Sequence, residues 1–201
     1  MTNDQTAGVD ADLLITVSGS PGSGVTTLCE GLADALDCGY ASGGEVFRRI
    51  ADDRGMSLRE LTAEASSTEE IDRELDRRLQ RIATEWGDAD KPFVLESRLA
   101  GWLAGDDADL RIWLDAPEEV RVERTADREE LAAEMRVREV LDESRYASRY
   151  GIDLSDRSIY DLTLNTARWS PQGTLSVVLA AVEAYDPTVD EGTTPTPSID
   201  V

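Results

Sequence analysis

Residues 13–27 read Leu13-Leu14-Ile15-Thr16-Val17-Ser18-Gly19-Ser20-Pro21-Gly22-Ser23-Gly24-Val25-Thr26-Thr27, and this stretch decides the fold. Its first half is a short run of apolar and β-branched residues that suits a strand covered on both faces. From Thr26 the sequence TTLCEGLADALD has helical periodicity. Strand, glycine-rich loop and helix therefore follow one another. Glycines at 19, 22 and 24 let the backbone turn tightly with its N–H groups converging, and the helix adds the positive end of its dipole. Such a nest, with Ser20, Pro21 and Ser23 inside it and Thr27 opening the helix, binds polyphosphate. Gly19, Gly24 and Thr26 fit the pattern G-x-x-x-x-G-K-[ST], in which the Thr26 hydroxyl would meet Mg²⁺. Position 25 is valine, so the lysine that would meet the β- and γ-phosphates is absent. The bland alternative is a glycine turn with no ligand; the strand-loop-helix context and the second threonine weigh against it.

At 201 residues the chain is one ordinary domain, large enough to bury most of its apolar surface. Cys29 and Cys38 read as small hydrophobes in a reducing compartment, with no chemistry assigned. No apolar run approaches a membrane span and no basic-then-apolar leader precedes the first strand, which leads to the expectation of a cytoplasmic protein. The net charge is −22 with a single lysine, Lys91. A surface this acidic repels nucleic acid polymers and anionic membrane, so neither is expected as a partner. The charge is spread along the chain rather than gathered in one block, which reads as adaptation to concentrated salt, where the Debye length falls to about 3 Å at 1 M.

Residues 1–11 read as a disordered leader, 12–186 as the domain and 187–201 as a disordered acidic tail with no apolar surface for docking. The first helix ends near Asp37-Cys38-Gly39. Gly43-Gly44 turns into a helix that stops at Gly55, and Ser57 with Glu60 makes a capping box for Leu58–Ser66. Residues 68–86 form an amphipathic helix on Ile71, Leu75, Leu79 and Ile82, whose Asp72, Arg73, Asp76, Arg77 and Arg78 read mostly as a solvated face. Phe93-Val94-Leu95-Glu96 is the second core strand. It ends in a carboxylate, and ligands of an open parallel sheet bind beyond the carboxyl ends of its strands, so Glu96, Ser97 and Arg98 should face the first loop. Asp109–Leu114 is the third strand, and Pro117 starts a helix carrying Arg121, Arg124 and Arg128. More arginines follow at 136, 138, 145 and 149. As a group they suit anion binding better than pairing with the intervening glutamates. Asp161–Asn165 is a further strand and Leu175–Tyr185 a closing helix. Strands alternate with helices throughout, which predicts a parallel β-sheet flanked by helices on both faces.

Taken together, Gly44-Glu45-Val46-Phe47-Arg48, Arg54-Gly55-Met56-Ser57-Leu58, Ile71-Asp72-Arg73-Glu74-Leu75-Asp76, Leu95-Glu96-Ser97-Arg98-Leu99-Ala100-Gly101-Trp102, Tyr150-Gly151-Ile152-Asp153 and Asn165-Thr166-Ala167-Arg168-Trp169 resemble the archaeal type of cytidylate kinase, a nucleoside monophosphate kinase. The resemblance spans about residues 13–185. It implies transfer of the ATP γ-phosphoryl group to CMP or dCMP, with Mg²⁺, by a kinase that closes a mobile lid of about 127–150; a monomer is expected. It further implies that Arg48 and Arg98 hold the acceptor phosphate and that Glu96 orients water on the metal. Arg124, Arg128, Arg138 and Arg145 would close on the transferring group, while Asp72, Arg168 and Trp169 line the acceptor pocket. Arginine's planar fork suits a phosphate oxygen pair. The sequence departs from the family at Val25 and in the lid, where 127–146 is short and Val140-Leu141 replace an expected Glu-Ser. Two other readings stay open: a nucleotide-binding paralogue whose catalysis these departures have weakened, and, because spacing alone does not locate the residues that read the base, a kinase of another small acceptor such as AMP or dephospho-coenzyme A.

Overall fold

Five strands, β1 (Leu14–Gly19), β2 (Gly39–Ser42), β3 (Phe93–Glu96), β4 (Leu110–Asp115) and β5 (Leu162–Asn165), pair in the order β2-β3-β1-β4-β5 in a computed structural model of the chain. All four pairings are parallel. The structure describes residues 13–87, 89, 91–125, 132–186, 199 and 201, and within these the side chains of 132–135, 137 and 138 are not described. The expected leader and nearly all of the expected tail therefore lie outside the described residues.

The register explains where a ligand would sit. Val17 and Ser42 both pair with Glu96, Gly19 pairs with Leu114, and Asp115 with Asn165. The strand ends Gly19, Ser42, Glu96, Asp115 and Asn165 thus share one edge of the sheet. β1 is buried along Leu14–Ser18, as its apolar run dictates for a central strand.

Eight helices occur among the described residues: α1 (Val25–Leu36), α2 (Gly43–Arg54), α3 (Leu58–Ala65), α4 (Glu70–Gly87), α5 (Ala100–Leu103), α6 (Glu118–Thr125), α7 (Ala132–Tyr150) and α8 (Pro171–Ala184). Helices α1 and α8 cover one face of the sheet, where Ile15, Val17 and Ile112 pack with Leu28, Leu32 and Val178. The other face, through Leu14, Leu95 and Trp113, packs with residues of α2, α3, α4, α5 and α7 such as Ile50, Leu61, Leu79 and Tyr146. Each fully buried aliphatic side chain contributes about 1.5–3 kcal/mol, so these two clusters dominate the folding energy.

Local chemistry sets the helix ends. Ser42 caps α2 by accepting from the Glu45 N–H at 3.1 Å, and Gly55 closes it in the left-handed region. Ser57 and Glu60 form the expected capping box at α3. Ser170 accepts from the Gly173 N–H, with Pro171 at the first position of α8.

Three expectations change. β2 is a fifth strand, in the stretch left without an element between the end of the first helix and the Gly43-Gly44 turn, and Phe93–Glu96 becomes the third strand in chain order. Asp72 and Asp76 do not lie on a solvated face: both are buried, toward α7. Finally, the tail residues Ile199 and Val201 are half-buried against the larger core cluster, so the end of the chain does present apolar surface that packs.

Candidate active site

The glycine loop lies at the ligand edge of the sheet and opens onto a cleft of about 1640 Å³. Gly22 and Gly24 take φ of 78° and 97°, a region that side chains rarely enter. A Cβ on Gly22 would also meet the Arg121 carbonyl at 2.7 Å, so the loop must stay bare there. No side chain caps α1, which leaves its first N–H groups to an anion. Ser23 Oγ is buried without a hydrogen-bond partner among the described residues.

Val25 folds inward, half-buried against the cluster beneath β1. Three arginines instead engage the loop's carbonyl side. Arg98 Nη1 donates to the Gly19 carbonyl, and Arg121 Nη1 donates to the Pro21 carbonyl at 3.1 Å. Arg124 donates through both terminal nitrogens to Thr166, whose hydroxyl donates to the Ser23 carbonyl at 2.8 Å. The Ser20 and Ser23 N–H groups donate to the Leu114 and Ser20 carbonyls, which leaves the N–H groups of Gly22 and of Gly24 onward as the polar face toward a ligand. Arg121, buried and paired with Glu139, was read from sequence as one more helix arginine, and only its packing under Pro21 marks it out.

Glu96 stands opposite Thr26, whose hydroxyl donates to Oε1 at 2.9 Å, while the Tyr40 hydroxyl donates to Oε2. Burial, and then the bond to Glu96, hold the Tyr40 hydroxyl well above its usual range, so it remains a donor. Tyr40 is absent from the sequence-based candidates because the four-residue strand that carries it has no periodicity of its own. A hydroxyl and a carboxylate side by side at the loop fit Mg²⁺, which binds through one or two protein oxygens together with substrate phosphates. No group of three His, Cys, Asp or Glu among the described residues forms a closed metal cage.

Across the cleft, Arg48 on α2 is exposed and makes no hydrogen bond or ion pair among the described residues. Arg98 also meets Asp142 on α7 at 3.4 Å. Arg145 donates to Asp72 at 2.9 Å and to Asp142 at 2.7 Å. Arg149 approaches Asp72 at 3.6 Å, and the Tyr150 hydroxyl donates to Asp76 at 2.8 Å. Burial raises the Asp76 carboxyl to about 6, against the opposing bond from Tyr150.

Not every expected residue arrives at the cleft. Arg168 and Trp169 follow β5, at the sheet edge opposite β2, whereas Arg48 lies on α2 and Asp72 on α4. Trp169 lines the cleft beside the glycine loop and Arg168 does not line it. Arg128 lies outside the described residues, as does the side chain of Arg138.

A glycine loop at the carboxyl edge of a parallel sheet of this order, with arginines around the cleft, defines the P-loop kinase fold. Solved structures agree: a shikimate kinase from Acinetobacter baumannii superposes with TM-score 0.56 at 16% identity, covering 87% of this chain and 94% of that one. The protein TT1252 from Thermus thermophilus does so with TM-score 0.58 at 19% identity, covering 84% and 97%. The cytidylate kinase-like family model matches residues 14–168. A cytidylate kinase of Haloarcula marismortui is 51% identical over 93% of this chain and 98% of its own length. One from Natronomonas pharaonis is 52% identical over 91% and 96%, and one from Pyrococcus furiosus 46% over 90% and 93%. The chain belongs to the cytidylate kinase-like family.

Proposed function

We propose that the chain transfers the γ-phosphoryl group of ATP to CMP or dCMP. The observation that carries this reading is the glycine loop with its Thr26–Glu96 pair facing, across one cleft, the arginines of α7 and Arg48, which is unpaired among the described residues. Support also comes from relatives named cytidylate kinase that align with nearly the whole chain.

Phosphoryl transfer asks a protein chiefly for positioning and charge neutralisation. The N–H groups of residues 22–27 hold the donor phosphates. Arg48 and Arg98 hold the acceptor phosphate, whose oxygen attacks the γ-phosphorus as the bond to the β–γ bridging oxygen breaks. Thr26 and Glu96 would hold Mg²⁺, which when bound would supply charge neutralisation for the donor phosphates. Arg124, Arg128, Arg138 and Arg145 supply positive charge around the transferring group in place of the missing lysine. Asp72 belongs to the acceptor side, while Trp169 and the adjacent Arg168 belong with the donor.

The reaction takes place in a cytoplasm of concentrated salt. Supporting this are the charge of −22 and a chain in which no helix among the described residues is long and apolar enough to cross a membrane. Val25 favours one second reading, a nucleotide-binding paralogue without turnover. A coupled assay in molar KCl with CMP, dCMP, UMP and AMP separates the two. Turnover near 1 s⁻¹ or above with CMP, the low end of kinase rates, is expected; ATP binding without turnover on any monophosphate would favour the paralogue.

A further inference from the structure

Glu96 is held by two side chains, and only one of them belongs to the glycine loop. Thr26 on α1 donates to Oε1 at 2.9 Å, and Tyr40 on β2 donates to Oε2. Thr26 and Glu96 line the cleft, whereas Tyr40 does not. The register accounts for the contact. Tyr40 pairs with Val94 and Ser42 with Glu96, so Tyr40 stands two positions before the level of the carboxylate on the neighbouring strand. Residues two apart share a face and rise about 6.6 Å, a span that a tyrosine leaning along its strand covers. The mounting is rigid. β2 pairs with β3, and a Cβ on Gly39 would come within 2.6 Å of the Phe93 ring, which is itself stacked on Trp86 at 4.3 Å. Phenylalanine would fill the same space as Tyr40; the hydroxyl adds the bond to Glu96.

We propose that Tyr40 is a positioning residue for the metal end of the site, fixing the Glu96 carboxylate so that its remaining lone pairs keep one direction. The inference rests on the reading of the glycine loop, Thr26 and Glu96 as the site of ATP and Mg²⁺. A carboxylate offers about four lone-pair positions on its two oxygens. One on each oxygen is taken here by a hydroxyl, and the rest are left with a set orientation. A glutamate side chain loses much rotamer freedom when it is ordered, and with Tyr40 in place that loss falls on folding rather than on metal binding. Mg²⁺ demands near-ideal octahedral geometry, so a carboxylate free to rotate serves it poorly. A donor also draws off some of the carboxylate's charge, which acts the other way. Removing outer partners of this kind typically costs about 10–100-fold in metal affinity or activity, so orientation outweighs the lost charge.

The test follows metal, nucleotide and turnover separately. Electron paramagnetic resonance of Mn²⁺ in molar KCl, with a saturating non-hydrolysable ATP analogue, gives the metal affinity of the wild type, Tyr40→Phe, Glu96→Ala and the double variant. Tyr40→Phe should weaken Mn²⁺ about tenfold. Its affinity for the analogue in EDTA, measured by isothermal titration, should stay that of the wild type. In a coupled assay the Mg²⁺ concentration for half-maximal rate should rise by a like factor, with the KM for CMP unchanged. With Glu96 already replaced by alanine, adding Tyr40→Phe should change Mn²⁺ affinity by less than about twofold, because the residue acts through that carboxylate. An unchanged Mn²⁺ affinity in Tyr40→Phe would overturn the proposal. So would equal weakening of the metal-free analogue, or the same loss in both backgrounds, since either marks a merely structural role. All titrations are made below the lowest of the four melting temperatures, so that an early-melting variant still reports. A wild type that does not bind Mn²⁺ with the analogue would sink the nucleotide-site reading and the proposal with it. One that binds both yet gives no turnover on CMP would sink the kinase reading while leaving Tyr40 in its role.

Discussion

Val25 lies half-buried under the loop, and the cations nearest the phosphate cradle are Arg98, Arg121 and Arg124. A charge that follows the transferring group appears in turnover more than in binding. Arg124→Ala should therefore reduce kcat by on the order of a hundredfold, whereas Val25→Lys should change it only modestly; steady-state kinetics with ATP and CMP check both. Arg48 is exposed and carries no structural contact among the described residues, so Arg48→Ala should raise the KM for CMP tenfold or more, about 1.4 kcal/mol, with an unchanged melting temperature. A change below twofold would remove Arg48 from the acceptor site. Asp76 makes a prediction about pH. Its carboxyl is raised to about 6, chiefly by burial. Below about pH 4 it is neutral in both folded and unfolded chains. Between about 4 and 6 the unfolded chain gives up the proton first, so this group's contribution to stability falls as pH rises and reaches its full penalty above about 6. Asp76→Asn keeps an acceptor for Tyr150 and removes that penalty, up to about 3 kcal/mol. Melting curves should show the variant gaining on the wild type from pH 4 to pH 7; a difference flat across that range would contradict the buried carboxyl.

At the level of elements, whatever is encoded by neighbours in the chain was legible. The capping box at α3 is an example, and Ser57→Ala should lower stability by about 1 kcal/mol, or about 2–4 °C in melting temperature. β1 and α1 declared themselves through an apolar run and a 3.6-residue period on either side of the glycines. β2 did not, because Gly39-Tyr40-Ala41-Ser42 is short, begins with glycine and lies at an edge where few of its residues need be apolar. α5 is a single turn and has no period to detect. The site divides in the same way. The cradle and Glu96 follow from spacing and strand ends. The contact of Tyr40 with Glu96, the position of Arg121 under Pro21 and the burial of Asp72 and Asp76 against α7 depend on elements far apart in sequence. Carboxylates four apart on a helix look solvated until the helix that covers them is known.

The whole molecule is governed by its charge of −22 and by its strand order. Repulsion among the carboxylates weakens as the screening length falls from about 10 Å at 0.1 M salt to about 3 Å at 1 M. The melting temperature should therefore climb steadily between 0.1 and 3 M KCl, and a flat or falling curve would separate the acidity from salt adaptation. The strand order has a different consequence, in the time domain of synthesis. β1 is the first strand to be made, yet Leu14 pairs with Phe93 and Ile15 with Leu110. At roughly 5–20 residues per second, its partners follow only after roughly 5–20 s. Throughout that interval Leu13-Leu14-Ile15-Thr16-Val17 is an unpaired apolar segment of high β-propensity, the kind that seeds aggregation. Asp10 and Asp12 stand immediately before it, charged residues of the kind that flank unavoidable apolar strands and oppose their association.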